Sequence, residues 1–260
     1  MPIITLTTDF GTRDPFVGVM KGVILGLAPD ARLVDLTHEI SPHDVLEGAL
    51  ALEAAVPFFP AGTIHLAVVD PGVGSARRPL AAAAAGQHFV GPDNGLFSFL
   101  FDAGGWSAVR LEATAYRLPR VSQTFHGRDI FAPAAAHLAL GIPLNRFGPP
   151  LTDPVTIPWS TAYRQGDRLI GEVIHADRFG NLVTSVRALD LEALGPTSSL
   201  VVEVEEKEVG RIVGCYADLP PRGLGAVIGS SGRLEISVRE GSALAATGAR
   251  RGSEVRVRKQ

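Results

Sequence analysis

The 260-residue sequence contains a single cysteine, Cys215, so no disulfide can form within the chain. The N-terminus lacks the basic and then apolar segments of a secretion signal, and the alanine-rich stretches are too short to cross a bilayer. The net charge is only -3, which argues against nucleic acid or an acidic membrane as the main partner. These absences predict a cytoplasmic protein that binds a small molecule.

Hydrophobic residues make up 46% of the chain, enough for one large core or two smaller ones. In the first half, strand-like and helix-like segments alternate. This alternation predicts an α/β fold with a mainly parallel sheet and covering helices. The predicted strands and helices are 3–8, 15–27, 32–37, 45–56 and 63–69, followed by a helix from about Arg128 to Gly141.

The composition of the sequence changes after Gly148, where a proline-rich segment without periodic apolar residues begins. Beyond it, short segments alternate apolar and polar residues, which predicts a smaller all-β barrel or sandwich. We therefore expect an N-terminal α/β catalytic domain over 1–152, a linker over 153–163 and a C-terminal β domain over 164–260 that completes the ligand site.

Local patterns support two of the predicted helices. In the first, five apolar residues recur at spacings of three and four, which predicts one buried stripe: Val17, Met20, Val23, Ile24 and Leu27. In the second, Asp44 precedes the helix and Glu47 follows three residues later, which predicts an N-terminal capping pair.

Reactive side chains follow the predicted strands. Asp9 comes after the first strand, Asp70 and Arg77 lie in the segment after the strand 63–69, and His126 precedes the helix near Arg128. Ligands of open α/β sheets bind outside the carboxyl ends of the strands, so these residues are expected at one crevice. An enzyme is the leading interpretation, although each residue alone could also cap a turn or face water.

Three weaker patterns do not support other functions. The segment GVGSAR lacks the helix that a dinucleotide-binding fingerprint requires, and the DFG at 9–11 lacks the other kinase elements. His38, His43 and Asp44 lack metal-ligand spacing, so we interpret them as solvent-facing or capping residues. We expect no catalytic metal.

Four motifs together resemble the S-adenosylmethionine hydroxide adenosyltransferases, relatives of the fluorinases and chlorinases: DPGVGSARR (70–78), PDNGL (92–96), TFHGRDIFAPAAA (124–136) and DRFGN (177–181). The similarity covers nearly the whole chain. It implies hydrolysis of S-adenosyl-L-methionine to adenosine and L-methionine by activated water attacking C5′, without a cofactor. It also implies a homotrimer with ligand sites at subunit interfaces.

The resemblance assigns the catalytic triad to Asp70, Arg77 and His126. In the halogenases the Asp70 position is usually Tyr and a halide-contacting Ser replaces Gly127, so the resemblance favours water over halide here. The implied substrate-binding residues are Asp9, Asp70, Asp177, Phe179, Asn181, Tyr216, Ser230 and Glu240. Arg239 departs from the pattern, because relatives often have Asn at this position of the adenine pocket.

Several alternatives stay open at the level of sequence. His126 has the unperturbed pKa best suited to a general base, but Asp70 could accept the proton while His126 only donates a hydrogen bond. A halide-dependent adenosyltransferase and a non-catalytic sensor of S-adenosylmethionine or adenosine are the competing functions.

Overall fold

The computed structural model describes residues 1–158 and 161–260, and the chain divides into two compact units, Met1–Ile157 and Pro158–Gln260. The division falls inside the expected linker 153–163, of which Trp159 and Ser160 lie outside the described residues. Among the helices that are described, none is both long enough and apolar enough to cross a bilayer.

The first unit contains a six-stranded mixed sheet. Its strands are β1 (Ile3–Thr8), β2 (Arg32–Thr37), β3 (Ile64–Val68), β4 (Pro79–Ala84), β5 (Gln87–Pro92) and β6 (Ser107–Arg110), in the order β2-β1-β3-β5-β4-β6. β1 pairs in parallel with β2 and β3, and β3 with β5, whereas β4 is antiparallel to β5 and β6. The predicted mainly parallel sheet is confirmed.

The helices of this unit are α1 (Phe16–Leu27), α2 (Val45–Ala55), α3 (Ser98–Ala103) and α4 (Ala132–Ala139). Val17, Met20 and Ile24 are buried on α1, while Val23 and Leu27 are only partly buried against the core. The Glu47 backbone N–H donates to Asp44 Oδ1 at 3.0 Å, which confirms the predicted cap of α2. The core joins α1 and α4 to the inner strands β1, β3 and β5.

The predicted helix from Arg128 is different in its first turn, because residues Gly127–Phe131 form a π-helical turn before α4 begins. Pro133 has no N–H to donate to the Asp129 carbonyl, which instead accepts from Leu118 N at 2.9 Å. The chain makes a wider bond, from Ala132 N to the Gly127 carbonyl. π-turns of this kind often occur at functional sites.

The expectation that His38 faces solvent or caps a helix is wrong. The residue is buried, with Nδ1 2.9 Å from Thr8 Oγ1 and Nε2 2.9 Å from Asp35 Oδ1. A buried imidazole needs such polar partners, and here they connect the end of β1 to β2. His43, by contrast, is exposed.

The second unit is a closed β-barrel. Its strands are β7 (Tyr163–Gln165), β8 (Arg168–Ala176), β9 (Leu182–Arg187), β10 (Leu200–Val204), β11 (Lys207–Val213), β12 (Leu224–Ile228), β13 (Arg233–Val238) and β14 (Glu254–Lys259). Seven of them, β8 to β14, close through the pairing of β14 with β8, and the short β7 pairs with the first residues of β8. The predicted all-β C-terminal domain is confirmed as a barrel.

One segment of the barrel, residues 200–213, contains a hairpin between two strands. The residues between β10 and β11, Glu205 and Glu206, both have positive φ, at 47° and 66°, which is the geometry of a tight two-residue hairpin. Two short helices, α5 (Ala188–Glu192) and α6 (Ala243–Thr247), complete the unit. Its core is aliphatic and includes Val173, Leu182, Val202, Leu234, Ile236 and Val257.

Candidate active site

Asp70 and Arg77 lie at the two ends of the connection between β3 and β4, here called the 70–77 loop. Gly74 has a φ of +77°, and a Cβ at this position would lie 2.4 Å from the carbonyl oxygen of Gln123. Only glycine combines that conformation with so close an approach. The loop therefore touches the segment that leads directly to His126.

The Asp70 carboxylate and the Arg77 guanidinium form a bidentate ion pair. Arg77 Nε donates to Asp70 Oδ1 at 3.0 Å, and Arg77 Nη2 donates to Asp70 Oδ2. Both side chains are nearly inaccessible, at 7% exposed for the arginine and 5% for the aspartate. The two planar groups hold each other in one geometry, as paired N–H···O bonds do.

His126 joins the pair through Arg77. Arg77 Nη2 lies 3.1 Å from His126 Nδ1. A guanidinium nitrogen only donates, so Nδ1 must be the acceptor and the neutral ring must carry its proton on Nε2. The guanidinium also stacks on Phe131, 5.3 Å from the ring centroid, and its Nη1 has no hydrogen-bond partner among the described residues.

Burial and charge shift the two titratable partners in opposite directions. Burial raises the pKa of the Asp70 carboxyl above its usual value, although the Arg77 charge and hydrogen bonds oppose the rise. Burial, and then the positive charge of Arg77, lower the pKa of the His126 imidazole. Near neutral pH the imidazole is therefore uncharged, as its contact with Arg77 requires.

Asp129 on the π-turn fixes the backbone on both sides of His126. Asp129 accepts from Ser122 N at 2.8 Å through Oδ2 and from Arg128 Nε at 2.6 Å through Oδ1. These bonds tie the turn to the segment in front of it. A Cβ on Gly127 would lie 3.1 Å from Met20 Sδ, so the position beside His126 is tightly packed.

Asp9 lies at the same edge of the sheet as Asp70. Thr8 of β1 pairs with Val68 of β3, and each aspartate follows closely on its strand. The Asp9 side chain is only 7% exposed and its Oδ2 accepts from His43 N at 2.9 Å. Asp9, Asp70, Arg77 and His126 all belong to the first unit.

Three predicted binding residues form one turn between β8 and β9 in the second unit. Asp177 Oδ1 accepts from the backbone N–H groups of Phe179 and Asn181, each at 2.8 Å, and Oδ2 accepts from Asn181 Nδ2 at 2.8 Å. The turn leaves the Phe179 side chain 77% exposed.

Tyr216 has a partner that the sequence analysis missed. Its hydroxyl donates to Oε2 of Glu235 at 2.6 Å. Burial, then the bond to Glu235, raises the pKa of the Tyr216 hydroxyl, and burial raises the pKa of the Glu235 carboxyl. A Cβ on Gly229 would lie 1.8 Å from Glu235 Oε1. In the sequence, Glu235 is indicated by its charge within the alternating apolar and polar strand RLEISV.

The remaining predicted residues lie on turns at the ends of β12 and β13. Ser230 and Glu240 are exposed, and Glu240 has a positive φ of 54°. Arg239, the departure from the family pattern, donates through Nη1 to the carbonyls of Ala217 and Leu219 at 3.0 and 3.2 Å. The arginine therefore binds the turn that carries Tyr216.

The hydrogen-bond geometry predicts the tautomer of His126. At about pH 7.5 its ring should be neutral and protonated on Nε2, observable in long-range ¹H–¹⁵N correlation spectra. Arg77→Met should raise the titration midpoint of His126, because the lowering charge is gone. The His126→Gln variant identifies the resonance. A ring protonated on Nδ1 at that pH would contradict the arrangement.

Two domain models of one protein family match most of this chain. Residues 4–148 match the SAM hydroxide adenosyltransferase N-terminal domain and residues 171–256 match the corresponding C-terminal domain. A crystal structure of an uncharacterized conserved protein from Thermotoga maritima superposes with a TM-score of 0.92 at 33% identity, covering 100% of both chains.

Named relatives include hydrolases and a fluorinase. Proteins called (R)-S-adenosyl-L-methionine hydrolase are 42% identical in Salinispora tropica, over 98% of this chain and 97% of theirs, and 40% identical in Thermus thermophilus, over 96% and 97%. A fluorinase of Actinoplanes is 31% identical over 75% of this chain and 74% of its own. The chain belongs to the SAM hydroxide adenosyltransferase family.

Proposed function

We propose that this protein hydrolyses S-adenosyl-L-methionine to adenosine and L-methionine. The observation that carries the proposal is the continuous contact of Asp70, Arg77 and His126 at the carboxyl end of β3. Relatives at 40 to 42% identity are named (R)-S-adenosyl-L-methionine hydrolase.

The reaction is a displacement at C5′ of the ribose. The oxygen of water forms a bond to C5′, the C5′–S electron pair goes to sulfur, and the sulfonium becomes the neutral thioether of methionine. The water loses one proton. Because the sulfonium leaves without protonation, alignment of the water opposite sulfur is the main requirement, and such positioning can supply about 7–11 kcal/mol.

Asp70 is the proton acceptor in this proposal. His126 Nδ1 already accepts from Arg77 and the neutral ring carries its proton on Nε2, so the imidazole has no free lone pair for the water. A carboxylate has about four acceptor positions, so Asp70 can bind Arg77 and still accept from water. The burial that raises its pKa makes it a stronger base than an ordinary aspartate.

Arg77 and His126 then act on the water as donors and orienting groups. Arg77 cannot be a base, because a guanidinium keeps its proton, but its charge stabilises the developing hydroxide. The carboxylates of Asp9 and Asp70 balance the positive sulfonium near that guanidinium. No cofactor or metal is needed for any of these steps.

The second unit supplies the rest of the binding site in this proposal. Asp177, Phe179 and Asn181 bind the methionine portion or the adenine, and Ser230 binds the methionine carboxylate. Tyr216 stacks on adenine, and the Glu240 backbone contacts its edge. The exposed rings of Phe179 and Tyr216 support that assignment. The functional assembly in this proposal is a homotrimer with ligand sites at the subunit interfaces. We also propose that the protein is cytoplasmic, because the exposed free thiol of Cys215 fits a reducing compartment.

Product analysis tests the function directly. Pure protein incubated with S-adenosyl-L-methionine in H₂¹⁸O should release adenosine and methionine, with one ¹⁸O on the 5′ carbon of adenosine. Added chloride or fluoride should not change the product. Formation of 5′-halo-5′-deoxyadenosine would indicate a halogenase, and binding without conversion would indicate a sensor.

The Asp70→Asn variant tests the base. We expect kcat to fall by about 10²–10⁴-fold, because the amide cannot take the proton, while the dissociation constant stays within about threefold by calorimetry. Asp102→Asn, an exposed change on α3, is the matched control and should keep full activity. Equal losses in binding and turnover would make Asp70 a substrate anchor instead.

A further inference from the structure

Two adjacent residues that follow β5 bind the residues on either side of the 70–77 loop. The first of these contacts is made by Asn94, whose Nδ2 donates to the Val69 carbonyl oxygen at 2.8 Å while its Oδ1 accepts from Leu96 N at 3.3 Å. The Val69 carbonyl belongs to the peptide bond that continues into Asp70. Asn94 therefore fixes the chain at the point where the catalytic carboxylate leaves the sheet.

Asp93 makes the second contact, at the other end of the loop. Its fully buried carboxylate accepts from Arg78 Nε at 2.7 Å through Oδ2, and its backbone N–H donates to the Arg78 carbonyl at 2.9 Å. Arg78 directly follows Arg77 in the chain. The Asp93 Oδ1 atom accepts from Val155 N at 2.8 Å, so the carboxylate itself is held on both sides.

These contacts hold the chain beyond the last paired residues of β3 and β5. The paired register of β3 with β5 extends only to Leu66 and Val90, so Val69 lies beyond it. A Cβ on Gly91 would lie 2.3 Å from the Ala67 carbonyl, which shows how closely β5 passes β3 at this point. The close approach brings Asn94 within reach of Val69.

We propose that the Asp93–Asn94 pair positions Asp70 and Arg77 for attack of water on the substrate, a role that rests on the proposed hydrolysis. Neither residue needs to touch the substrate. Each binds the backbone or side chain one residue away from a catalytic group, so the pair sets the distance between the two ends of the loop. A displacement of about 1 Å at a reacting group can cost 10²-fold in rate.

Two isosteric variants test the pair. Asn94→Asp keeps the acceptor for Leu96 and removes the donor to Val69, while Asp93→Asn keeps the acceptor for Val155 and removes the charge facing Arg78. We expect each to lower kcat by about 10- to 100-fold per folded molecule, with KM within about threefold. If the two residues served folding alone, the variants would have a lower melting temperature, but kcat per folded molecule would not fall while KM stayed constant.

Asp153→Asn is the matched control for Asp93→Asn. It is the same chemical change at a second carboxylate bound to Arg78, with Oδ1 2.8 Å from Nη1, but the Asp153 side chain is 78% exposed whereas that of Asp93 is fully buried. Its kcat should stay within about twofold of the wild type. The comparison separates the loop contact from a general effect on Arg78.

A double-mutant cycle identifies the group through which Asn94 acts. If its effect passes through Asp70, Asn94→Asp should change kcat by less than about threefold in the Asp70→Asn background. Should Asn94→Asp not fold, as judged by circular dichroism, Arg78→Lys tests the Asp93 contact at the other end of the loop, and we expect the same fall in kcat with KM nearly unchanged.

The outcomes separate the two proposals. Wild-type protein that releases no adenosine contradicts the proposed function. If the wild type hydrolyses the substrate but the folded variants at Asp93 and Asn94 keep an unchanged kcat, only the positioning role is contradicted. The same holds if Asn94→Asp lowers kcat equally in the wild-type and Asp70→Asn backgrounds.

Discussion

The guanidinium of Arg77 is the interaction on which the candidate site depends. It binds both oxygens of Asp70 and the Nδ1 atom of His126, and its side chain is only 7% exposed. A buried cation is tolerated only when it is paired and hydrogen-bonded, so Asp70 and Arg77 require each other for stability as well as for chemistry. Lysine could not replace it, because an ammonium lacks the planar fork that reaches two partners in fixed directions. The same group decides where the proton of His126 resides.

The fold explains how this contact arises from residues far apart in the chain. Parallel pairing of β1 with β3 brings Asp9 and Asp70 to one sheet edge, and the return of the chain into β4 brings Arg77 back to Asp70. The π-turn starting at Gly127 presents His126, and Gly74 lets the 70–77 loop approach the segment in front of it. Strand ends and turns supply the reactive groups, while the surrounding strands and helices supply the rigid core.

Much of this organisation follows from sequence patterns with a local cause. The apolar spacing on α1, the Asp44 cap of α2 and the position of Asp70 after an apolar strand each depend on neighbouring residues. Other features depend on contacts across the fold. The burial of His38 requires Thr8 and Asp35 from adjacent strands, and the bond from Tyr216 to Glu235 joins separate elements of the barrel. The π-turn is intermediate, because Pro133 signals a missing donor but not the Leu118 N–H that replaces it. The tautomer of His126 follows from its contact with the donor-only guanidinium of Arg77, and the spacing of these residues in the sequence does not show that contact.

Hydrolysis by this arrangement requires one water molecule to lie between the Asp70 carboxylate and the ribose carbon bonded to sulfur. A crystal structure of the protein with an unreactive analogue of S-adenosyl-L-methionine tests that requirement most directly. We expect an ordered water about 2.6–3.2 Å from an Asp70 oxygen, on the side of C5′ opposite the sulfur position. A structure in which Asp70 binds the ribose hydroxyls instead, with no water in line with the C5′–S bond, would contradict it.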